Sequence, residues 1–216
     1  MTIAKLIICG VDDNKKDDFS TSQCSWHQLS NCEGFCGQAG GWDISSSTAT
    51  ILGFWASQAH VDEFMKTTHD EIFEHNKQQG TYNNCAVNYY KLMSTTLGVN
   101  VDIFHGGLLS ITHCSGVSSM DPFTQEQQIM CNPQLSQQLG ILSARIWRHI
   151  TLEDNYMLVT HWVSKQAHEQ YLKGQLFTLR SPTSSPDCLE TISSSIIELE
   201  TLWSVAPNKS INWKAQ

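Results

Sequence analysis

The chain contains an internal repeat, and this repeat limits the folds it can adopt more than any other feature. The segment FWASQAHVDEFM around Trp55 matches HWVSKQAHEQYL around Trp162, at an offset of 107 residues. A second pair of segments, QLSNCEGF from Gln28 and QLSQQLGI from Gln134, aligns at an offset of 106 residues. Two matched blocks with nearly the same offset predict a tandem duplication in which each copy folds as one unit.

Both copies show the same order of predicted elements, which is β-α-β-β-α-β. The first copy has predicted strands at 3–11, 34–43, 48–55 and 85–93, and helices at 16–31 and 57–76. The second copy has predicted strands at 108–114, 141–150, 156–162 and 192–205, and helices at 121–139 and 164–180. The predicted division of the chain is a first ferredoxin-like repeat at 1–93, a linker at 94–107, a second repeat at 108–205 and a polar tail at 206–216.

The strand predicted at 48–55 is apolar on both faces. Ile51 and Trp55 lie on one side, and Leu52 and Phe54 lie on the other. A sheet covered by helices on one face only should alternate apolar and polar residues, so both faces of this sheet are expected to be buried. The helices cover one face, and the simplest cover for the other is the sheet of the sister repeat. The sequence therefore predicts an α+β fold, in which tandem ferredoxin-like repeats form a dimeric α/β-barrel-type pseudo-dimer within one chain.

Composition and charge exclude several classes of partner. The formal net charge is −8 and no cluster of Lys and Arg is present, so nucleic-acid binding is not expected. No apolar run approaches the length of a membrane span. The N-terminal apolar run has no cleavage-site pattern, and the eight cysteines are spread along the whole chain. This pattern is typical of reduced thiols in a cytoplasmic protein.

Two segments of the first copy resemble a known family. GFCGQAGGWD at 34–43 and ILGFWASQAHVDEFMKTTHDEIF at 51–73 are similar to the YdbC-like family of bacterial proteins. That family is similar to the antibiotic-biosynthesis-monooxygenase group of dimeric α+β barrels. The resemblance covers about residues 1–93, and the second copy shares the W-x-S-x-x-A-H pattern at 162–168.

The resemblance implies a fold and leaves the chemistry open. The wider group includes cofactor-independent quinone-forming monooxygenases, haem-degrading enzymes, isomerases and proteins without a known reaction. The haem-degrading branch has a Trp where this chain has Phe64 and Tyr171, and a haem-ligating His where it has Glu74 and Ser181. Haem degradation is therefore not expected, and neither is any other cofactor.

Four glycines fall within the ten residues 34–43. A phosphate-binding loop would need a Lys and a Ser or Thr after its last glycine, whereas Trp42, Asp43 and a further strand follow here. The glycines either relieve crowding in a bent strand or leave bare backbone for a ligand. Bulkier residues occupy the matching places of the second copy, so a pocket with more room in the first copy is expected. The candidate ligand-binding residues are Gln38, Gly40, Trp42, Trp55 and His161.

His69 is the candidate catalytic acid or base, because the pKa of a histidine lies near neutrality. On one regular helix His69 borders the apolar stripe while Asp70 points 100° away towards solvent, so the two are not expected to share a site. Leu176 stands in the matching place of the second copy. The alternative is a structural histidine satisfied by one hydrogen bond. His161, in the middle of an apolar strand, has the same two interpretations.

No metal site is predicted. Cys32 and Cys36 form one C-x₃-C spacing near Cys24 and His27, but no second cysteine pair follows.

Two functions remain open. One is a cofactor-independent monooxygenase acting on an apolar, aromatic or quinol-like small molecule. The other is a non-catalytic, stress-related protein that binds a ligand or a protein partner. Polar groups that converge in a pocket would favour the monooxygenase. A barrel interior filled with side chains would favour the non-catalytic protein. Self-association is an open expectation in both cases.

Overall fold

A computed structural model describes residues 1–97, 107–117, 140–178 and 190–208. The strands in these ranges are β1 (Ile3–Gly10), β2 (Phe35–Asp43), β3 (Thr48–Trp55), β4 (Asn84–Leu97), β5 (Leu108–Ser115), β6 (Ile141–His149), β7 (Tyr156–Trp162) and β8 (Thr191–Leu199). The helices are α1 (Lys16–Cys24), α2 (Gln58–Thr67), α3 (His69–His75) and α4 (Lys165–Thr178). The helix predicted at 121–139 lies outside the described residues. Within the described ranges, no helix is long and apolar enough to cross a membrane.

The strands close into one barrel in the order β1-β3-β2-β8-β5-β7-β6-β4. Each repeat contributes four adjacent strands in the same arrangement, β4-β1-β3-β2 from the first and β8-β5-β7-β6 from the second. The repeats meet where β2 pairs with β8 and where β4 pairs with β6. The predicted α+β fold with a pseudo-dimer in one chain is confirmed.

The duplicated sequence blocks also fold alike in detail. The Ala56 N–H donates to the Gly34 carbonyl at 2.7 Å, and the Val163 N–H donates to the Gly140 carbonyl at 3.0 Å. Both glycines have a positive φ, at 72° and 79°, which a residue with a side chain adopts only with strain. The conserved geometry explains why a glycine stands at this point of both copies.

Several predicted element boundaries are wrong. The helix predicted at 57–76 is divided at Thr68, whose φ of −125° and ψ of −29° leave the helical region, and α3 begins at His69. The helix predicted at 16–31 ends at Cys24 and continues as the 3-10 helix Ser25–Asn31. Strand β4 runs to Leu97, four residues into the range predicted as a linker. The limits of the two repeats otherwise stay a prediction.

Backbone geometry explains two of the β2 glycines, one of them at the seam between β2 and β8. Here β2 pairs with β8 only over Gly41–Asp43, and a Cβ atom at Gly41 would overlap the carbonyl oxygen of Glu198. Gly37 lies at a β-bulge with a φ of 127°. Beyond Leu199 the last predicted strand is interrupted by the 3-10 helix Thr201–Trp203, after which the chain rejoins β2. The glycines at 37 and 41 therefore serve backbone geometry.

The interior of the barrel is packed with apolar side chains. Leu6, Leu52, Phe54, Trp147 and Met157 are all buried there in one cluster. The rings of Phe54 and Trp147, one from each repeat, lie 5.6 Å apart between centroids. The side-chain packing between the sister sheets is thus the main hydrophobic contact between the two halves.

Candidate functional site

A cavity of about 430 Å³ lies between the outer face of the first repeat's sheet and the helices above it. The floor is formed by the side chains of β1 to β4 that point away from the barrel interior. The roof is formed by the 3-10 helix Ser25–Asn31 and by α2 and α3. This volume falls within the range of pockets that hold small organic ligands.

One row of residues crosses the middle of the floor. Gln38, Gly53, Lys5 and Tyr89 are successive cross-strand neighbours on β2, β3, β1 and β4. A Cβ atom at Gly53 would have only the Trp55 indole nitrogen within 4 Å, at 3.7 Å. The floor of the cavity therefore has open space above Gly53.

Lys5 places a cationic group at the base of this cavity. Its side chain is buried, and its Nζ donates to the Met65 sulfur at 3.2 Å. The same Nζ lies 5.7 Å from the centre of the Phe64 ring, a cation–π distance. Burial lowers the pKa of Lys5 to about 8, and the nearby Cys85 opposes this shift. Ser110 stands at the matching place in the second repeat, opposite Thr160.

The roof of the cavity is largely aromatic. Phe64 stacks on Trp55 with ring centroids 4.8 Å apart. The Trp26 indole N–H donates to Gln78 Oε1 at 2.6 Å, and Gln78 Nε2 donates to Gln23 Oε1 at 2.9 Å. Both glutamines are buried. This chain of hydrogen bonds fixes the Trp26 side chain, which lines the cavity.

His69 lies at the same roof and is paired with Asp70. The His69 Nδ1 is 2.9 Å from Asp70 Oδ1, so the two side chains are in contact, contrary to expectation, although Asp70 faces solvent as predicted, with its side chain 84% exposed. The break at Thr68 precedes both residues and leaves their relative phase unchanged, so the contact is one between adjacent side chains in the first turn of α3. His69 is 21% exposed and stacks against Phe73, with an interplanar angle of 13°. In the tautomer that donates Nδ1–H to the carboxylate, Nε2 is a proton acceptor.

The candidate residues from the sequence fall into three places. Gln38, Trp55 and His69 line the cavity. Gly40 is not among the lining residues, and a Cβ atom there would lie 3.0 Å from the Thr50 carbonyl oxygen of the neighbouring strand. Trp42 packs between Phe19 and Trp203 near the β2–β8 seam.

His161 lies in the barrel interior and is 1% exposed. It stands directly opposite Ser143 on β6 and Leu109 on β5. Arg145, also buried, donates from Nη1 to the Ser143 hydroxyl at 2.9 Å. His161 therefore belongs to a buried polar group of the second repeat and is separate from the cavity.

Sequence reasoning missed several residues of the site. Lys5, Trp26, Gln78, Cys9 and Cys85 all line the cavity. The sequence feature that could have indicated the site was Lys5, because it is a charged residue within the apolar strand IAKLIICG. In the described part of the chain, no group of three or more His, Cys, Asp and Glu side chains is arranged to hold a metal ion.

The eight-stranded α+β barrel with helices on its outer face is a fold that solved structures of other proteins share. A solved structure of a proposed monooxygenase from Fusobacterium nucleatum is similar over 100% of this chain and 98% of its own, with a TM-score of 0.72 and 10% identity. An anthrone oxidase-like protein is similar over 97% of this chain and 95% of its own, with a TM-score of 0.67 and 10% identity. At such identities these likenesses show the fold alone.

Sequence comparison identifies the family. The family model described as a domain of unknown function, DUF4937, matches residues 3–90. The uncharacterised protein YdbC of Bacillus subtilis is 35% identical over 92 residues, which are 41% of this chain and 77% of YdbC. The chain belongs to this YdbC family, through its first repeat.

Proposed function

We propose that the first-repeat cavity binds a flat aromatic molecule with an acidic hydroxyl group and that the protein oxidises it as a cofactor-independent monooxygenase. The observation that carries this proposal is Lys5, a buried ammonium group beneath aromatic walls. A buried cation is stabilised most by an anion in direct contact, and a phenolate supplies both that charge and a ring for stacking. We also propose that the cysteines of this protein are reduced and that the protein is located in the cytoplasm.

The proposed reaction uses O₂ as the oxidant and balances without another electron donor. A hydroxyarene with a hydrogen para to its hydroxyl loses its phenolic proton, and Lys5 stabilises the resulting anion. The electron-rich para carbon bonds to O₂ and forms a hydroperoxide. Loss of the ring proton and cleavage of the O–O bond then give the quinone and one water, so that hydroxyarene plus O₂ becomes quinone plus H₂O.

His69 is the proposed proton acceptor in this sequence. It lies at the roof of the cavity, and Asp70 holds its Nδ1 at 2.9 Å. A base fixed by a carboxylate has a defined tautomer and orientation. His69→Gln should therefore lower kcat while the Kd for a hydroxyarene stays unchanged. A parallel rise in Kd would assign His69 to binding.

The proposal is tested with 1-naphthol and with naphthalene, which has the same rings without the hydroxyl group. Binding is followed by tryptophan fluorescence, since Trp26 and Trp55 line the cavity. Turnover is followed by O₂ uptake and quinone absorbance, with one O₂ expected per quinone. Tighter binding of 1-naphthol than of naphthalene, together with O₂ uptake, would support the monooxygenase. Equal binding of both without O₂ uptake would contradict it.

A second function, ligand binding without turnover, is favoured by the tightly filled barrel interior. In that case 1-naphthol would bind and no O₂ would be consumed. Self-association remains a prediction for either function, and light scattering of the purified protein tests it.

Filling the floor of the cavity should block binding. Gly53→Leu places a branched side chain above the floor, where its Cβ atom would have only the Trp55 indole nitrogen within 4 Å, at 3.7 Å. A non-glycine residue also suits a β-strand better, so stability should change by less than about 1 kcal/mol. The affinity for 1-naphthol should fall by at least about tenfold.

The matched control uses the pseudo-symmetry of the barrel. Thr160 occupies the place of Gly53 in the second repeat, and its hydroxyl accepts from the Trp162 indole N–H at 2.9 Å. Thr160→Leu should leave 1-naphthol binding unchanged. If the two variants lose affinity equally, the ligand does not lie over Gly53.

A further inference from the structure

Two cysteines face each other across strands β1 and β4. Cys9 and Cys85 are cross-strand partners, and their sulfur atoms are 3.1 Å apart. A disulfide bond has an S–S length of about 2.05 Å, so an approach of about 1 Å would join them. Both residues point towards the helix side of the sheet and line the cavity.

The two thiols differ in exposure and in acidity. Cys85 is exposed, whereas Cys9 is buried behind it. The hydrogen bond that Cys9 donates lowers the pKa of Cys85 to about 7, burial opposes this, and the charge of Lys5 lowers it further. The same hydrogen bond and burial raise the pKa of Cys9. An exposed thiol with a low pKa is suited to attack an oxidant, and this thiol is Cys85. A buried neighbouring thiol is suited to form a disulfide with the oxidised sulfur afterwards, and this thiol is Cys9.

The other described cysteines lack this arrangement. Cys24, Cys32, Cys36 and Cys114 are free, and none has a sulfur–sulfur contact among the described residues. Burial raises the pKa of Cys32, and raises that of Cys36 to about 12 and that of Cys114 to about 11. Among the six cysteines that the structure describes, this arrangement is therefore specific to the pair in the cavity wall.

We infer that Cys9 and Cys85 form a dithiol site that reduces hydroperoxides and closes to a disulfide. This inference rests on the sulfur geometry and stands without the proposed oxygenation. The Cys85 thiolate attacks the terminal peroxide oxygen, and the O–O bond breaks to give Cys85 sulfenic acid and an alkoxide, which takes a proton to leave as the alcohol. Cys9 then attacks the sulfenic sulfur, the S–S bond forms, and hydroxide leaves as water with the Cys9 proton. Overall, ROOH and two thiols become ROH, H₂O and one disulfide.

The walls of the cavity define the class of hydroperoxide. Ile7, Ile51 and Val87 surround the pair on the same face of the sheet, so an apolar group on the peroxide has a surface to contact. An organic hydroperoxide gains this contact and hydrogen peroxide does not. The dithiol chemistry is the same for both, and their relative rates distinguish them.

The test measures the reaction of the fully reduced protein with cumene hydroperoxide and, in a parallel arm, with hydrogen peroxide. Peroxide loss is followed over time, and differential alkylation with mass spectrometry identifies the oxidised cysteines. We expect one Cys9–Cys85 disulfide per hydroperoxide consumed, at a rate at least about tenfold above that of the urea-unfolded chain. Cumene hydroperoxide should react faster than hydrogen peroxide.

Cysteine variants distinguish the attack on the peroxide by Cys85 from the disulfide formation by Cys9. Cys85→Ser should react no faster than the unfolded chain. Cys9→Ser, or Cys9→Ala if the serine is not tolerated at this buried position, should accumulate a sulfenic acid on Cys85 that dimedone traps. Cys32→Ser, which removes a thiol outside the pair, should match the wild type. A folded protein that reacts no faster than the unfolded chain, a disulfide between other cysteines, or a wild-type rate in Cys85→Ser would overturn the inference.

Discussion

Replacing Lys5 with methionine should make the protein more stable and remove its affinity for hydroxyarenes. Lys5 is 6% exposed, and burial lowers its pKa from 10.5 to about 8. That difference corresponds to about 3 kcal/mol of unfavourable charge burial near neutral pH. Methionine is of similar length and has no charge. We expect the free energy of unfolding at pH 7 to rise by about 3 kcal/mol. The affinity for 1-naphthol should fall by about 100-fold, because the phenolate loses its cation.

The pH dependence identifies the cause of this stabilisation. The folded protein releases the Lys5 proton near pH 8, whereas the unfolded chain retains it up to about pH 10.5. Between these values the unfolded state binds more protons, so wild-type stability rises with pH and the advantage of the variant disappears. Urea unfolding from pH 7 to 10.5 measures this.

The Lys5→Met experiment needs a shared background substitution and a control variant. Cys85 titrates in an overlapping range, so both proteins should carry Cys85→Ser. Ser110→Met changes the matching position of the second repeat and should show no pH-dependent gain. An advantage of Lys5→Met that stays constant up to pH 10.5 would mean that apolar contact, and not charge burial, is responsible.

The fold was largely predictable because duplication and burial both leave sequence patterns. Trp55 and Trp162 mark the two copies, and the strand Thr48–Trp55 is apolar on both faces because the sister sheet covers its inner side. The two-sided pattern was sufficient to predict a closed barrel. The break at Thr68 was not predictable, since neither proline nor glycine marks it and Phe64 and Ile72 keep the helical spacing on both sides.

The candidate site was predictable only in part, because its position depends on which face of the sheet a residue occupies. Gln38 and Trp55 point towards the helices, and the prediction placed them in a pocket without knowing on which side of the sheet the pocket lies. The space next to Gly41 is filled by the backbone of β8, a contact between distant segments that no local pattern reports. Lys5 gains its importance only from the roof that α2 and α3 place above it.

The barrel interior gives the second large prediction, which concerns Trp147. This side chain is fully buried and lies within the apolar cluster between the two sheets. Trp147→Ala should lower the free energy of unfolding by about 3–5 kcal/mol, because it removes a large ring and leaves a cavity. Urea unfolding followed by circular dichroism measures this loss.

Trp147→Phe is the matched control for the polar part of the side chain. The Trp147 indole nitrogen has no hydrogen-bond partner in the described part of the chain, so its removal leaves no other group unsatisfied. The phenyl ring still contacts Phe54, and the cost should be less than half of that for alanine. A loss as large as that of Trp147→Ala would show that the indole nitrogen has a partner after all.

The same variants test where the ligand binds. Trp147 points into the barrel, whereas Lys5, Gly53 and Trp55 face the helices on the other side of the sheet. Trp147→Ala, studied at a temperature where it remains folded, should therefore bind 1-naphthol with wild-type affinity although it has lost much of its stability. If it lost binding while Gly53→Leu retained it, the ligand would have to occupy the barrel interior, and the proposed role of Lys5 would be excluded.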